Sequence, residues 1–480
     1  MVLSDIFLFK FSILNLAELK VNVKTEDDIT SFRIFLSSDN GYRLDSHLYR
    51  EVVQSQKTIF RTIGEDPGPL NGLSTDTAYT TKDLLQTARF KAQSAGCAYV
   101  YDYPSLFEEA IKKSWTERGS KPPVNAFSCV ELILDKSGEL AEVSREPAQN
   151  VIGMVAWRMK IKQPELGEKS REIIVIANDS TVQQGSFGPK EDQLFAAASE
   201  KAREDKIPRI YITGNNSGAR IGLCKELQNS FLVAWIGEKE GEQVDYIYLT
   251  PADYKKYSSL VIAVHIVVDE ISRYKIKAIL GSDDCGTAAL QGSGLIAGET
   301  SKAYHQIPTI SLVTGRAVGI GAYLVRLAQR VIQVESSFII LTGYRPLNSV
   351  LGANVYSSNQ QLGGPQIMAR NGVSHLTVTD DFMGVRAVLH WLSYIPSHLH
   401  EYIQNIPNYL KTDPPDRPVT ADVKAKVYNA RTILAGSRDS LGILDRGSLL
   451  ELQPDWAKTV FVGRGRLGGI PIGRGFKFLF

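Results

Sequence analysis

Long stretches of the chain alternate between uninterrupted apolar runs and segments with helical spacing. EIIVIAND (172–179) is apolar at each position from Ile173 to Ala177, the pattern of a parallel strand covered on both faces. GSFGPKEDQLFAAASEKARED (185–205) follows. Its Gly-Pro and the acids Glu191 and Asp192 predict a helix start, because proline suits the first turn and carboxylates meet the positive end of the helix dipole. IPRIYIT (207–213) returns to an apolar run. Strand, helix and strand within about forty residues predict a right-handed βαβ crossover. YITG (211–214), LVTG (312–315) and IILTG (339–343) each close an apolar run in Thr-Gly, and the first two lead into Gly-rich turns that open helices. One strand-turn-helix unit is reused, without the fixed period of a solenoid. The predicted fold class is α/β.

The flanks read differently. Residues 1–75 mix β-like runs such as FRIFLSS with the turn signals DNG and EDPGP, and are expected to form a small α+β flanking segment. The helix-strand alternation is expected to fill 76–410, and the Pro-rich TDPPDRP (412–418) marks a boundary before a third segment, 411–480. The apolar Ile6–Leu16 stretch is broken by Lys10, has no basic segment before it and is short for a bilayer, so it reads as a strand. No other stretch reaches membrane length, and a cytoplasmic protein is expected.

Composition narrows the chemistry. Lys+Arg number 54 against 52 Asp+Glu, a net charge of +2. Nothing global therefore draws the chain to nucleic acid or an anionic membrane, and any polyanion site is local. The four cysteines, Cys97, Cys129, Cys224 and Cys285, are far apart with no CxxC pair. That spacing disfavours a zinc ribbon or disulfide framework and fits a reducing compartment with free thiols.

Two turns carry candidate chemistry. NNSGARIG (215–222) lies between IPRIYIT and the helical-looking LCKELQNSF. Ligands gather where parallel strands end and backbone N–H groups are unpaired. There Gly218 and Gly222 permit close backbone approach, Ser217 is a candidate cap, and Arg220 offers a bidentate charge to phosphate or carboxylate. An ordinary capped turn with a solvated arginine is the competing reading. TGRAVGIGAYLVRL (314–327) repeats the arrangement with Arg316 at the turn and Gly319 and Gly321 at the helix start. Glycine in a helix costs roughly 1 kcal/mol relative to alanine, so the pair indicates close approach by ligand or backbone. Packing against a neighbouring strand explains it equally. Backbone donors at this turn would suit an oxyanion.

Other motifs fall away. GSGLIAG (292–298) imitates a dinucleotide fingerprint without a preceding strand or a following acidic residue. No GxxxxGK[ST] and no GxSxG occurs. His398-Leu399-His400 lacks further spaced ligands, and no metal site is expected. Met159-Lys160-Ile161 is close to a biotin-attachment Met-Lys-Met but sits in VAWRMKIKQ, a strand pattern. No nucleophile-base pair or carboxylate pair announces itself by spacing, which fits chemistry run by backbone oxyanion donors on a substrate that supplies its own base.

IGMVAWRMK, GSFGPKEDQLF, IPRIYITGNNSGARIG, LQGSGLIAGETSKAYH, ISLVTGRAVGIGAYLVRLAQRVIQVE, QLGGPQIMARNGVSH and GRGRLGGIPIG, in this order, resemble the carboxyltransferase region of eukaryotic multidomain acetyl-CoA carboxylase. The likeness runs from about residue 12 to residue 473. It implies a crotonase-like superhelix of ββα units that binds CoA. The implied activity is transfer of a carboxyl group from carboxybiotin to acetyl-CoA, giving malonyl-CoA for fatty acid biosynthesis. It further implies that backbone amides hold the thioester enolate and that the ureido nitrogen released from carboxybiotin takes the proton. Carried over by position, Arg316 is the CoA-contacting arginine, Gly319 the oxyanion amide and Leu290 a residue lining the substrate pocket. Ser217, Gly218, Ala219 and Arg220 form the loop beside CoA. Carboxybiotin would be a co-substrate supplied by another domain, with no biotin attachment site or ATP site in this chain. The implied partners are acetyl-CoA, a biotinyl domain and the C-terminal half of the transferase, contributed across a homodimer; no nucleic acid or membrane span is expected.

The sequence departs from the family at three places: Tyr344-Arg345 replace small residues, DDCGTAAL (283–290) lacks the usual Glu-Asn before its leucine, and one extra residue precedes Ser217. The family's Asn-Trp-Arg-Gly-Phe-Ser-Gly-Gly run, with its carboxylate-binding arginine and second oxyanion amide, does not occur, so an incomplete transferase is expected. A non-catalytic relic or interaction subunit of the same fold is the alternative. A single-module hydratase would need a carboxylate near the oxyanion turns, and none stands out.

Overall fold

The computed structural model describes residues 18–24, 29–37, 45–65, 67–79, 85–167, 169–221, 225–237, 243–279, 290–395, 416–421 and 429–477. The strand expected near Ile6–Leu16, the His398–His400 motif, the 410/411 boundary, and Cys224 and Cys285 lie outside these residues.

The first described unit is an antiparallel meander of β1 (Glu18–Lys24), β2 (Ile29–Ser37), β3 (Asp45–Gln54) and β4 (Lys57–Thr62). Phe35, Tyr49, Phe60 and Leu70 form its own small core. Two helices follow, α1 (Gln86–Ser94) and α2 (Tyr103–Thr116).

The central sheet has eight strands. Its antiparallel side comprises β5 (Phe127–Leu134), β6 (Leu140–Val143) and β7 (Met154–Ile161), and its parallel side starts with β8 (Arg171–Asn178) and β9 (Arg209–Ile212). Between β8 and β9 runs α3 (Pro189–Glu204), with Pro189 in its first turn and Glu191 Oε2 accepting from the Gly188 N–H at 3.1 Å. The crossover read from the sequence is therefore present, and VAWRMKIKQ contributes a strand as expected. The run Ile173–Ala177 divides by parity: Ile173, Val175 and Ala177 enter one core, Ile174 and Ile176 the other. Successive side chains of a strand point to opposite faces, so a doubly covered strand has no polar position to spare. Each fully buried branched chain contributes roughly 1.5–3 kcal/mol.

An excursion separates β9 from the next central strand. β10 (Leu232–Trp235), β11 (Val244–Leu249), β12 (Val261–Val268) and β13 (Ile271–Ile279) form an antiparallel sheet over Leu227, Leu249, Val261 and Ile276. The sequence reading had placed this stretch within the α/β alternation. The signal it passed over is Asp269-Glu270, two consecutive residues at φ 51° and 62°, the geometry of a two-residue hairpin turn.

The chain returns through α4 (Leu290–Gln306) to β14 (Thr309–Val313), β15 (Arg316–Val318), α5 (Ile320–Arg326), β16 (Arg330–Val334), β17 (Phe338–Ile340) and α6 (Tyr344–Leu351). β14 and β16 join the central sheet, while β15 and β17 pair with each other in a second, two-stranded sheet. Strand, side strand and helix thus occur twice in succession, the ββα unit of the crotonase-like fold. β18 (Leu376–Val378) ends the central sheet and α7 (Asp381–Leu392) packs on one face with α2, while α3, α4 and α5 cover the other. Last come β19 (Leu450–Leu452), β20 (Val460–Leu467) and β21 (Ile470–Lys477). Gly468 and Gly469, at φ 59° and 83°, make the β20–β21 turn. Leu450 is buried in the α2–α7 core, so this final sheet packs onto the central unit.

Candidate active site at the carboxyl edge of the sheet

β8, β9 and β14 are parallel neighbours, so the turns that follow them, 179–188, 213–220 and 314–321, emerge at one sheet edge. The Thr-Gly endings have a structural cause here. Thr213 Oγ1 donates to the Thr314 carbonyl at 2.8 Å and accepts from the Thr314 N–H at 2.9 Å, tying two strand ends together.

The centre of the arrangement is Asn216, fully buried and given no role by the sequence reading. Its Oδ1 accepts from the Gly218 N–H at 3.3 Å and the Val318 N–H at 3.1 Å. Its Nδ2 donates to Tyr211 Oη at 3.3 Å and the Thr213 carbonyl at 3.4 Å. Tyr211 in turn donates to Asn178 Oδ1 at 2.8 Å, and Asn178 Nδ2 donates to the Gly185 carbonyl at 3.0 Å. One polar relay therefore fixes all three turns. A side chain at Gly321 would collide with the Asn216 amide, so that glycine serves close packing inside the protein. The first turn also holds Gln183 and Gln184 at φ 44° and 57°, a backbone region costly for non-glycine residues and concentrated at functional sites.

Arg316 stands at this edge without a counter-ion among the described residues. Nη2 reaches Gln184 Oε1 at 3.5 Å, and the buried Nε has no hydrogen-bond partner. Burial lowers its pKa, and the neighbouring Cys97 thiol opposes that shift. A half-buried guanidinium without a carboxylate is an anion receptor in waiting. Cys97 is itself pushed up to about 12, by burial first and then by Asp381, so it is an inert thiol at neutral pH.

Two expected roles change. Arg220 is already occupied: Nη2 lies 2.6 Å from Glu191 Oε1 and Nε donates to Ser186 Oγ at 3.0 Å. Glu191 also accepts from the Gly153 N–H at 2.8 Å. Arg220 thus pins the loop to the start of α3, and its charge is spent on a buried carboxylate. The Gly319 N–H donates to the Ile340 carbonyl at 3.0 Å, extending the β15–β17 ladder, so this hydrogen is committed and does not point at a ligand. The N–H groups of Ala219 and Ile320 have no partner among the described residues. Gly319 keeps a conformational role, at φ 54°, and a Cβ there would lie 3.9 Å from Gly218 Cα; the two Gly-rich turns are in contact.

The remaining candidates are placed as follows. Ser217 is half-buried, and the next helix among the described residues is the four-residue Lys225–Gln228. Gly218, at φ 82°, packs against the Val318 carbonyl, where a Cβ would come to 3.0 Å. Leu290 begins α4, with its side chain outside the described set. DDCGTAA, 283–289, is outside it too.

Sequence reasoning also missed Asp192. It is 1 % exposed, neither carboxyl oxygen has a hydrogen-bond partner among the described residues, and its pKa rises to about 7 through burial, with Glu191 adding to the shift. Gly292 of α4 packs directly on this carboxyl group, where any Cβ would clash. The glycine that imitated a cofactor fingerprint is thus a contact glycine beside Leu290.

The carboxyl transferase domain profile matches residues 167–474, a span that starts just before β8 and ends within β21. The chain belongs to the carboxyl transferase family. Relatives within that family include "Acetyl-CoA carboxylase" of Schizosaccharomyces pombe, 46% identical over 458 residues, covering 92% of this chain and 20% of that protein. A second is "Acetyl-CoA carboxylase, mitochondrial" of Saccharomyces cerevisiae, 43% identical over 458 residues with the same coverages of 92% and 20%. The chain therefore spans about a fifth of the length of these relatives, 20%. Among solved structures it is similar to transcarboxylase 12S, at 18% identity and a TM-score of 0.47 over 84% of this chain and 64% of that one.

Proposed function

We propose that the chain is the acyl-CoA-binding part of an acetyl-CoA carboxylase carboxyltransferase, in which acetyl-CoA accepts a carboxyl group to become malonyl-CoA. Carboxybiotin, brought by a biotinyl domain outside this chain, supplies the carboxyl group. A second transferase half and a dimer mate are the other partners of this reading. The observation that carries it is Arg316, a half-buried cation with no ion-pair partner among the described residues, on the turn that also carries the Ile320 N–H and touches the one carrying the Ala219 N–H, both without partners among those residues.

The residues divide the work. Arg316 binds a CoA phosphate, and the 217–220 loop, pinned by Arg220–Glu191 and Asn216, shapes the wall beside it. When the acetyl group loses a proton, which would pass to the ureido nitrogen freed as carboxybiotin gives up its carboxyl group, negative charge moves onto the thioester oxygen, and the N–H groups of Ala219 and Ile320 receive it. Such preorganised donors cost nothing to reorient, and loss of one typically raises a barrier by about 2.7–4 kcal/mol. Ser217 lies on the same loop, Gly218 lets that loop pack against Val318, and Leu290 borders the acyl end. A cytoplasmic location is part of the same proposal; one relative is named mitochondrial, so family membership does not fix the compartment. No helix among the described residues is long and apolar enough to cross a membrane.

Arg316→Ala tests the reading. A charge-assisted hydrogen bond contributes about 1.5–3 kcal/mol, so CoA affinity measured by calorimetry should fall roughly ten- to hundredfold. Because Arg316 has no counter-ion to lose among the described residues, the melting temperature should hold or rise. Unchanged CoA affinity would remove Arg316 from the site.

A further inference from the structure

The opposite edge of the central sheet carries a second concentration of positive charge. Arg330 opens β16, and since β14 and β16 are parallel, with Ile310 opposite Arg330, it lies at the amino-terminal edge, away from the turn that holds Arg316. Its guanidinium sits 4.8 Å from the ring centroid of Trp391 on α7, and that of Arg464 on β20 sits 5.1 Å from the same centroid. His375, immediately before β18, accepts from the Val331 N–H through Nδ1 at 3.1 Å. Its pKa falls to about 4 through burial and then the nearby Arg330 and Arg326.

Among the described residues, the charged neighbours in this cluster all have the same sign. Arg330 loses basicity to burial and then to Arg464, and only the Tyr304 phenol opposes the loss. Arg464 loses basicity to burial, opposed only by Tyr394. No carboxylate neutralises either guanidinium among the described residues. The hydrogen-bonding inventory is unfilled as well. Arg330 Nη1 donates to the adjacent Gln329 carbonyl at 2.6 Å, but among the described residues its buried Nε has no acceptor, and neither does Nε1 of Trp391, a residue only 1 % exposed. Cation-π contact returns about 0.5–2 kcal/mol per arginine, yet two like charges on one ring still repel, and a buried donor without an acceptor is costly.

We propose that Arg330, Arg464 and Trp391 form a binding site for a phosphate group, separate from the sheet-edge site of Arg316. A dianionic oxyanion is the ligand class that cancels two cations at once and supplies acceptors for both orphaned donors. The proposal is independent of the acyl-CoA reading, because it uses other residues at the other edge.

The test is titration of the full chain with inorganic phosphate at constant ionic strength, followed by calorimetry and by tryptophan fluorescence. Wild-type protein should bind phosphate with a fluorescence change that Trp391→Phe removes. Arg464→Gln should weaken binding at least tenfold, and Arg464→Lys, which keeps the charge, should retain most of it and guards against a folding defect. Absence of phosphate binding to the wild type, or equal affinity in Arg464→Gln, would each overturn the proposal.

Discussion

Replacing Asn216 by alanine is expected to lower the unfolding free energy by roughly 3–5 kcal/mol and to abolish measurable CoA binding together with it. The side chain is fully buried and makes four hydrogen bonds across two turns. Truncation leaves the Gly218 and Val318 N–H groups without their acceptor, and each buried donor stranded in this way costs about 1–3 kcal/mol. It also opens a cavity against Gly321, which has no side chain to fill it. The functional loss follows because Asn216 sets the spacing between the 217–220 loop and the 316–320 turn. Urea denaturation measures the first effect and calorimetry with CoA the second. Asn216→Asp keeps both acceptor contacts but loses the donors and buries a charge, so it should not rescue stability. A loss below about 1 kcal/mol in the alanine variant would mean that the relay does not hold the turns.

The second large effect is a pH dependence at Asp192. Its folded pKa of about 7 lies above the ordinary 3.8, so the folded chain holds this proton to higher pH than the unfolded chain does. The contribution is therefore fully present below pH 3.8 and is lost as the pH rises through about 7. By pH 8 the buried, unpartnered carboxylate costs on the order of 4 kcal/mol. Asp192→Asn removes that charge. The variant should be more stable than the wild type by a few kcal/mol at about pH 8, with the advantage fading to near zero at about pH 4. Urea titrations of both proteins across that interval report the difference directly, and a gap independent of pH would contradict the assignment.

The sequence displays the scaffold more openly than the site. Ile173–Ala177 could be read as a doubly covered strand because burial on both faces demands apolar residues at consecutive positions, and Pro189, Glu191 and Asp192 mark a helix start by local chemistry alone. Those are one-dimensional signals. The excursion at 232–279 was hidden because its hairpin turns on Asp269-Glu270 and not on Asn-Gly or Gly-Gly. At the site, Arg316 and the Gly-rich turns were legible by composition, whereas the state of each group depends on long-range partners. Arg220 and Glu191 are 29 residues apart, and the hydrogen on Gly319 is taken by Ile340 across the β15–β17 pair. Asn216 reads locally as a turn residue; only the meeting of β9 with β14 makes it the joint of three loops. Asp192 reads as a helix-start acid, and its isolation appears once α4 lays Gly292 over it.

The central claim is that the Arg316 guanidinium and the free N–H groups of Ala219 and Ile320 form one acyl-CoA cradle. A crystal structure of the chain with a non-reactive acetyl-CoA analogue tests it most directly. The account predicts a CoA phosphate oxygen about 2.7–3.2 Å from Arg316, and the thioester oxygen at similar distance from both N–H groups. An analogue bound elsewhere, with Arg316 still turned to Gln184 and both N–H groups facing no ligand atom, would contradict it.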